Sequence, residues 1–176
     1  EAAQYRGLEV SKADSDLVVL ATEVESHDDL SEVNSAMEWA IEFLPRSIPI
    51  VVTSQVPPGW TRPWGEKRPN VFYQPHTIRK GHEIEDATNP SVLVAGCLDV
   101  DKPQPRSYID YLMAFQAPIF LVSYETAEMS KLALNYLLGA QIVTANRLQK
   151  ASALVGAVWD DIEPLLRMDE RVGPHA

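Results

Sequence analysis

Apolar residues in the first two thirds of the chain fall into short continuous runs separated by polar stretches. Runs of this length, bounded by turn residues, predict strands that are buried on both faces. The five predicted strands lie at 17–21, 48–52, 71–73, 91–96 and 118–122. Between the first two, apolar residues from Val33 to Leu44 recur at helical spacing, after an acidic stretch at 28–32 and before Pro45. This alternation of strand and helix is typical of a parallel sheet covered by helices.

The last third of the chain has a different pattern. Residues 125–157 contain no proline and few glycines and are rich in alanine and leucine, so they predict one long helix. A second helical stretch is predicted at 158–168, and Pro164 is expected to break or kink it. The predicted fold class is therefore α/β, with a parallel sheet followed by a long helix and a shorter helical segment. The domain boundary is expected near Ser123.

The predicted long helix is apolar on too many sides for a helix that lies on one small sheet. A helix that is apolar nearly all round is buried by more than one neighbour. The second neighbour is either a domain outside this chain or another copy of it. The residues concerned are Met129, Leu132, Ala133, Tyr136, Leu137, Ala140, Val143 and Ala151.

Composition and charge disfavour several classes of protein. The formal net charge of −10 makes nucleic acid an unfavourable partner, because an acidic chain repels phosphates. No apolar run reaches the 18 or so residues of a membrane span, and no signal peptide is visible. Cys97 is the only cysteine, which excludes an internal disulfide and fits a reducing cytoplasm. The chain starts at Glu1 rather than methionine, so we expect that it was processed, trimmed or cut from something longer.

Three polar residues on the predicted long helix are candidates for chemistry. Glu128, Lys131 and Asn135 are spaced so that a helix places them on one face. A lysine and an amide on an otherwise apolar helix lose hydration unless something binds them. Spacing alone favours the plainer interpretation, in which Glu128 and Lys131 form a surface ion pair and Asn135 faces solvent.

Other polar residues are weaker candidates. Residues 53–55 end a predicted strand, and ligands bind at the carboxyl ends of parallel strands, although ordinary turn polarity explains the position equally well. His76 and His82 have no partner at metal-ligand spacing, so no metal site is expected. Cys97 has no basic neighbour and is expected to be an inert buried thiol. Neither a glycine-rich dinucleotide fingerprint nor a phosphate loop occurs in the chain.

Seven segments, in order along the chain, resemble motifs of the UDP-glucose/GDP-mannose 6-dehydrogenases, the nucleotide-sugar dehydrogenases. The best match is Thr-Ala-Glu-x-x-Lys-x-x-x-Asn at 126–135, and Ser-Gln-Val-Pro-Pro-Gly at 54–59 resembles the family's Ser-Thr-Val-Pro-x-Gly turn. Together the segments cover about residues 14 to 173. They lie at 16–21, 29–33, 54–59, 74–81, 84–90, 126–135 and 169–173.

The resemblance implies an NAD-dependent enzyme that oxidises the C6 alcohol of a nucleotide sugar to the acid by two hydride transfers. Residues 1–122 would form a partial Rossmann-like NAD-binding domain that lacks its first βαβ unit. Residues 123–176 would form the central helical domain, with a homodimer interface along the helix 125–157. Lys131 and Asn135 would hold the reacting oxygen of the substrate and a water, and Gln55 would be a third catalytic residue.

Several positions depart from the family pattern. His76 and Lys80 replace two glutamates, and a cation cannot do the work of a carboxylate base. Together with Arg79, they stand at degenerate substrate-binding positions. Thr22 and Gln55 are the weak candidates for NAD contacts. Gln55 replaces a threonine, residues 22–25 replace a Val-Pro-Thr-Pro loop, and Arg147 follows Asn146 where the family has glutamate.

The family's cofactor fingerprint lies upstream of Glu1 and its thiol nucleophile lies just past Gly173, so neither is in this chain. Three hypotheses follow from this. The chain is a middle segment of a dehydrogenase-like protein, inactive by itself; or it is a complete but degenerate relative that dimerises or binds; or it is an unrelated small-molecule binder. The first hypothesis is favoured. The sequence of the parent gene on both sides of this segment would distinguish the first hypothesis from the second.

Overall fold

The computed structural model describes residues 3–5, 8–10, 15–22, 24 and 29–172. Residues 1–131 and residues 132–176 form two compact units, and the division falls inside the long helix. The predicted domain assignment, with its boundary near Ser123, stays a prediction. Glu23, Glu25, Asp28 and Gly173, which belong to the predicted loop, helix start and last motif, lie outside the described residues.

A five-stranded sheet forms the centre of the first unit, and its strands neighbour one another in chain order. The strands are β3 (Val18–Leu20), β4 (Ile50–Val52), β5 (Val71–Tyr73), β6 (Leu93–Cys97) and β7 (Ile119–Ser123). A separate antiparallel pair, β1 (Ala3–Tyr5) with β2 (Leu8–Val10), precedes it. All five predicted strands are present, and the α/β fold class is confirmed. The expected burial was wrong for β7, in which Ile119 and Phe120 are exposed and no residue is fully buried.

The sheet is parallel except between β5 and β6, where Tyr73 pairs antiparallel with Gly96. The prediction of an entirely parallel sheet was therefore wrong at this junction. A parallel connection needs a crossover, usually a helix packed on the sheet. The connection here contains only α3 (Glu83–Thr88), which buries none of its residues. The chain therefore turns back, and β6 runs in the opposite direction.

Helices cover both faces of the sheet. On one face, Val33 and Met37 of α1 (Ser31–Phe43) pack against Ile50 and Val52 of β4. On the other face, Tyr108 and Leu112 of α4 (Arg106–Met113) pack with Val51 and Phe72. Alternate residues of β4 thus point to opposite cores, and both cores are apolar, which is why its sequence is continuously apolar. Three helices were not predicted: α2 (Arg62–Lys67), α3 and α4.

Helix α1 agrees with its prediction in position and in both of its end signals. The Asp29 carboxylate accepts the Ser31 N–H at 3.0 Å, which lowers the pKa of Asp29, and the helix ends just before Pro45. The amide so bound is one of the donors that a helix N-terminus leaves without a partner inside the helix.

The long helix α5 (Tyr124–Leu154) packs closely against the sheet at its beginning. The Tyr124 hydroxyl donates to the Val71 carbonyl oxygen at 2.7 Å. A Cβ on Gly96 would lie 2.9 Å from the Ala127 Cβ, and a Cβ on Gly65 would overlap the Tyr124 ring. Glycine at these two positions therefore permits close approach, and the first two turns of α5 have a fixed position on the sheet.

The second unit contains the rest of α5 and α6 (Trp159–Met168). Helix α5 ends at Leu154 rather than at 157, because Gly156 has a positive φ of 75° and the Ala157 N–H donates back to the Ser152 carbonyl. Helix α6 continues through Pro164, so proline does not break the helix there, and the alternative of a kink stays a prediction.

Apolar side chains of the second unit lie at its surface. Tyr136 is 76% exposed and Leu137 is 62% exposed. Ile142, Leu154, Leu165 and Met168 are also largely exposed. The helix thus presents uncovered apolar surface, as its pattern predicted. None of the helices in the described part of the chain is both long and apolar enough to span a lipid bilayer.

Candidate functional site

Three candidate residues follow the three parallel strands at one edge of the sheet. Thr22 lies just beyond β3, Gln55 beyond β4 and His76 beyond β5. Because β3, β4 and β5 are parallel, their carboxyl ends meet at the same edge, where α/β folds bind ligands. Thr22 is half-buried, whereas Gln55 and His76 are exposed. The fold therefore places all three residues at one edge.

The segment after β4 is an ordered turn. The Thr53 N–H and hydroxyl both bond to the Leu20 carbonyl oxygen, at 2.9 and 3.2 Å. Val56 enters the core, and the chain reverses at Gly59, whose φ is +92°. The Trp60 N–H closes the turn on the Pro57 carbonyl oxygen at 3.1 Å. The backbone is therefore hydrogen-bonded both before and after Gln55, whose side chain is exposed.

Glu128 has a different environment from the one that its spacing suggested. Its side chain is 1% exposed, and its two carboxylate oxygens accept the Gly59 N–H at 2.5 Å and the Thr61 N–H at 2.8 Å. The expected surface ion pair with Lys131 was wrong, because the turn after β4 lies over the helix and supplies the donors. Nearby, burial and the charge of Glu128 together raise the pKa of Tyr73 to about 12.

A second carboxylate of α5 binds the same region of the chain. Glu125, one turn before Glu128, forms a two-contact ion pair with Arg62 at the start of α2; the Arg62 Nη2 to Glu125 Oε2 distance is 2.8 Å. This hydrogen bonding lowers the pKa of Glu125 to about 2. The loop between β4 and α2 is thus tied to α5 at two successive turns of the helix.

The Arg62–Glu125 pair predicts a pH dependence of stability. Its contribution is fully present above the usual glutamate pKa of 4.5 and is lost as the pH falls towards 2. The pair is partly exposed, so Glu125→Gln should lower the free energy of unfolding at pH 7 by only about 0.5–1 kcal/mol. Urea unfolding at several pH values measures this difference, which should approach zero near pH 2. Glu42→Gln, at an exposed position of α1, is the control and should change stability by less than about 0.5 kcal/mol. A loss that persists unchanged at pH 2 would contradict the assignment.

Lys131 and His76 are basic groups, and the charge of Lys131 affects the pKa of His76. Lys131 is half-buried, and burial lowers its pKa; no carboxylate in the described part of the chain pairs with it. Desolvation by the surrounding protein lowers the pKa of the His76 ring, and the charge of Lys131 lowers it further. Both pKa values are therefore shifted towards the uncharged form of the group. The resemblance places a carboxylate at position 76, and this arrangement has none there.

The remaining predicted residues have environments of their own. Arg79 is engaged by Asp86, whose carboxylate accepts its guanidinium at 2.7 Å and its backbone N–H at 2.7 Å; the pKa of Asp86 falls to about 2 as a result. Lys80 is exposed. Asn135 is also exposed and belongs to the second unit. The roles assigned to these residues by resemblance stay predictions.

A cavity of about 130 Å³ opens beside His76, and two of its lining residues were missed by sequence reasoning. Gln74 is buried and lines the cavity together with Tyr111 of α4; burial raises the pKa of Tyr111, and the nearby Gln74 side chain opposes this rise. Gln74 follows a strand that the sequence identified, but no local signal links it to Tyr111. The contact arises only when α4 packs against the sheet.

The two weakest sequence candidates behave as ordinary structural residues. The His82 ring lies 3.0 Å from the Glu85 carboxylate on α3. Cys97 is buried, its sulfur lies 3.6 Å from the Val122 carbonyl oxygen, and burial raises the pKa of the thiol. Within the described ranges, no three histidine, cysteine, aspartate or glutamate side chains are grouped closely enough to hold a metal.

Comparison with known proteins gives consistent neighbours. The chain is 28% identical over 174 residues to the uncharacterized protein MJ1054 of Methanocaldococcus jannaschii, covering 91% of this chain and 19% of that protein. It is 26% identical to a UDP-glucose 6-dehydrogenase of Streptococcus pneumoniae, covering 84% of this chain and 39% of the enzyme. A UDP-glucose dehydrogenase structure from Pyrobaculum islandicum superposes with a TM-score of 0.75 at 24% identity, covering 92% of this chain and 40% of that one. No protein-family model matches the chain.

These neighbours consistently indicate similarity to the nucleotide-sugar dehydrogenases of the UDP-glucose/GDP-mannose type. The chain spans about 40% of the length of these dehydrogenases, which is consistent with an internal segment. The resemblance recognised from motifs is thereby confirmed, as is the Rossmann-like character of the mostly parallel sheet.

NAD, which the dehydrogenase resemblance implies, fits this chain only in part. Thr22 and Gln55 offer polar groups at the carboxyl edge of the sheet. The pyrophosphate of a dinucleotide needs a glycine-rich turn that leads into a helix N-terminus. No two of the eight glycines are separated by a single residue, and the turn at Gly59 leads to a helix of six residues. The residues of this chain therefore do not form a dinucleotide site by themselves.

Proposed function

We propose that this chain is the middle segment of an NAD-dependent nucleotide-sugar 6-dehydrogenase-like protein, which oxidises the C6 alcohol of a UDP- or GDP-sugar to the uronic acid. The observation that carries the proposal is Lys131, which is half-buried, has no carboxylate partner among the described residues, and lies near enough to His76 at the edge of the sheet to affect it electrostatically. The dehydrogenase relatives, matched over about 40% of their length, support it.

In this proposal the residues of the chain bind and orient the substrate. The Lys131 ammonium donates to the reacting oxygen of the sugar and stabilises negative charge on it, which is the usual role of a buried cation at a developing alkoxide. Gln55 holds a water at the carboxyl edge, and Asn135 assists Lys131. His76, Arg79 and Lys80 lie where the sugar nucleotide binds. NAD, if the whole protein holds it, would supply the hydride acceptor.

A second function is favoured by one observation. His76 stands next to Lys131 without a carboxylate, so the pair lacks the base that the oxidation requires. A degenerate relative that dimerises or binds, without catalysis, would have this arrangement. Either function includes a homodimer formed through α5, supported by the exposed apolar residues of that helix. It also includes a cytoplasmic location, in keeping with the single buried, unpaired thiol of Cys97.

The proposal predicts opposite results for the segment and for the whole gene product. The segment alone should show no NAD binding in titration calorimetry at micromolar concentrations and no NADH absorbance with UDP-glucose or GDP-mannose. The whole product should form NADH with one of these sugars. Lys131→Ala should abolish that activity, since removing a transition-state donor costs about 100-fold or more.

Lys102→Ala is the matched control, because Lys102 is an exposed lysine paired with Asp99 at 3.3 Å. It should leave the activity within twofold of the wild type. NADH formation by the segment alone would contradict its inactivity. A whole product that is folded and dimeric but inert with both sugars would favour the degenerate relative.

A further inference from the structure

The buried carboxylate of Glu128 is satisfied in an unusual way. No lysine, arginine or histidine in the described part of the chain pairs with it, and both oxygens are used by backbone amides of one turn. A buried carboxylate is costly unless its oxygens are hydrogen-bonded, and bonds from N–H groups to an ionised carboxylate are among the stronger ones. The two amides belong to residues 69 and 67 positions earlier in the chain. Glu128 therefore joins two distant segments rather than capping its own helix.

The helix side of this contact is fixed independently of Glu128. Tyr124 binds the Val71 carbonyl oxygen, and Ala127 lies against Gly96. The beginning of α5 would thus keep its place on the sheet if the Glu128 carboxylate were removed. On the turn side, the amides of Gly59 and Thr61 bind Glu128, and the tip of the turn at Pro58 and Gly59 is otherwise exposed. The contact therefore determines where the turn lies relative to the helix.

We infer that Glu128 is a positioning residue that fixes the turn carrying Gln55 at a set place relative to Lys131, one helical turn further along α5. This inference rests on the proposed function, in which Gln55 and Lys131 serve the same substrate. Gln55 lies four residues before Gly59, and Lys131 three residues after Glu128. The Glu128 carboxylate holds the turn against the helix that carries Lys131. It would thereby keep Gln55 at a fixed distance from Lys131 without itself contacting the substrate.

The segment itself tests the contact, through Glu128→Gln. A glutamine has the same shape but presents one oxygen and one NH₂ group, so only one of the two amides keeps an acceptor. Hydrogen exchange followed by NMR should show at least one of the Gly59 and Thr61 amides exchanging roughly tenfold faster. The Gln55 resonances should shift, whereas those of Val51 and Phe72 in the sheet should not. Glu66→Gln, at an exposed position of α2, is the control and should leave all of these unchanged.

A second variant disturbs the same contact by changing the turn instead of Glu128. A Cβ on Gly59 would meet nothing within 4 Å, so Gly59→Ala acts only through its positive φ and should reproduce the faster exchange. Gly156→Ala is its control, because Gly156 also has a positive φ and open space but lies in the second unit. If Glu128→Gln fails to fold, Gly59→Ala still tests the inference.

The whole gene product tests the positioning role. Glu128→Gln should lower kcat by about 10- to 100-fold and change KM by less than threefold, because misplaced catalytic groups slow the reaction more than they weaken binding. A merely stabilising residue would lower the melting temperature and leave kcat intact. Unchanged exchange at Gly59 and Thr61 would overturn the contact, and faster exchange with unchanged kcat would overturn the positioning role while the proposed function stands. A wild type without activity would overturn the proposed function and this role together, and the exchange result would still show whether the contact exists.

Discussion

Replacing Arg68 with methionine is expected to lower the free energy of unfolding of this chain by about 3 kcal/mol. The Arg68 side chain is 2% exposed, and its guanidinium donates to four carbonyl oxygens at the end of α1 and just beyond it. These acceptors are Ala40, Leu44, Pro45 and Ile48, at 3.2, 3.0, 2.6 and 2.7 Å. Methionine preserves much of the volume but removes all four bonds. It leaves the Leu44 and Ile48 carbonyls without a donor, whereas Ala40 and Pro45 keep the backbone N–H groups of Leu44 and Ile48.

Two opposing free-energy changes determine the size of this effect. Each buried carbonyl left without a donor costs about 1–3 kcal/mol, which favours a larger loss. Against it, the variant no longer buries a charged group, a cost that also lowers the pKa of Arg68 in the folded chain. We expect the loss of hydrogen bonds to outweigh the relief of the buried charge, because four charge-assisted bonds are lost and the Leu44 and Ile48 carbonyls lose their donor.

Urea unfolding followed by circular dichroism measures the loss. Arg106→Met is the control, because Arg106 is exposed on α4 and pairs with Asp110 at 2.9 Å; it should cost less than about 1 kcal/mol. Arg68→Lys should lie between the two, since an ammonium group cannot reach four carbonyls at once. A loss for Arg68→Met no larger than that of Arg106→Met would show that water replaces the guanidinium.

A positive charge on the exposed apolar surface of α5 is expected to convert a dimer into monomers. Tyr136 and Leu137 are the residues to change, because they are large and mostly exposed. Exposed contiguous apolar surface beyond a few hundred Å² usually marks an interface, and a two-fold contact would bury it. Leu137→Lys or Tyr136→Lys would place an ammonium group against apolar surface or against its own copy, at a cost on the order of several kcal/mol.

Light scattering across a dilution series measures the effect. The wild type should have about twice the mass of the 19.6 kDa chain, and both lysine variants should approach the mass of the single chain. Gln141→Lys is the control, since it adds the same charge to the same helix at an exposed polar residue, and it should leave the mass unchanged. A wild type that is folded, soluble and monomeric would exclude the dimer.

The sequence predicted every strand of the sheet, the first helix and the long helix. Ile50–Val52 is apolar at every position because both faces of the sheet are covered, and that pattern is local. The motif at 126–135 identified the family because its residues lie on one stretch of helix. The direction of β6 was missed, since it depends on how the chain returns after β5 and not on the residues of the strand. Helices α2, α3 and α4 were missed because segments of six to eight residues contain too few turns for a periodic pattern.

The sequence by itself determined the elements, the fold class and the resemblance to the nucleotide-sugar dehydrogenases, because each depends on residues close together in the chain. Tertiary structure alone decided what individual polar residues do. Glu128 is spaced for a surface pair with Lys131 and instead binds amides 67 and 69 positions away. Arg68 precedes Pro69 and Asn70, a sequence typical of an exposed turn, and is instead buried with its guanidinium donating to four carbonyl oxygens. The physical reason is that a buried polar group must find partners wherever packing brings them, and packing joins segments whose separation no local pattern records.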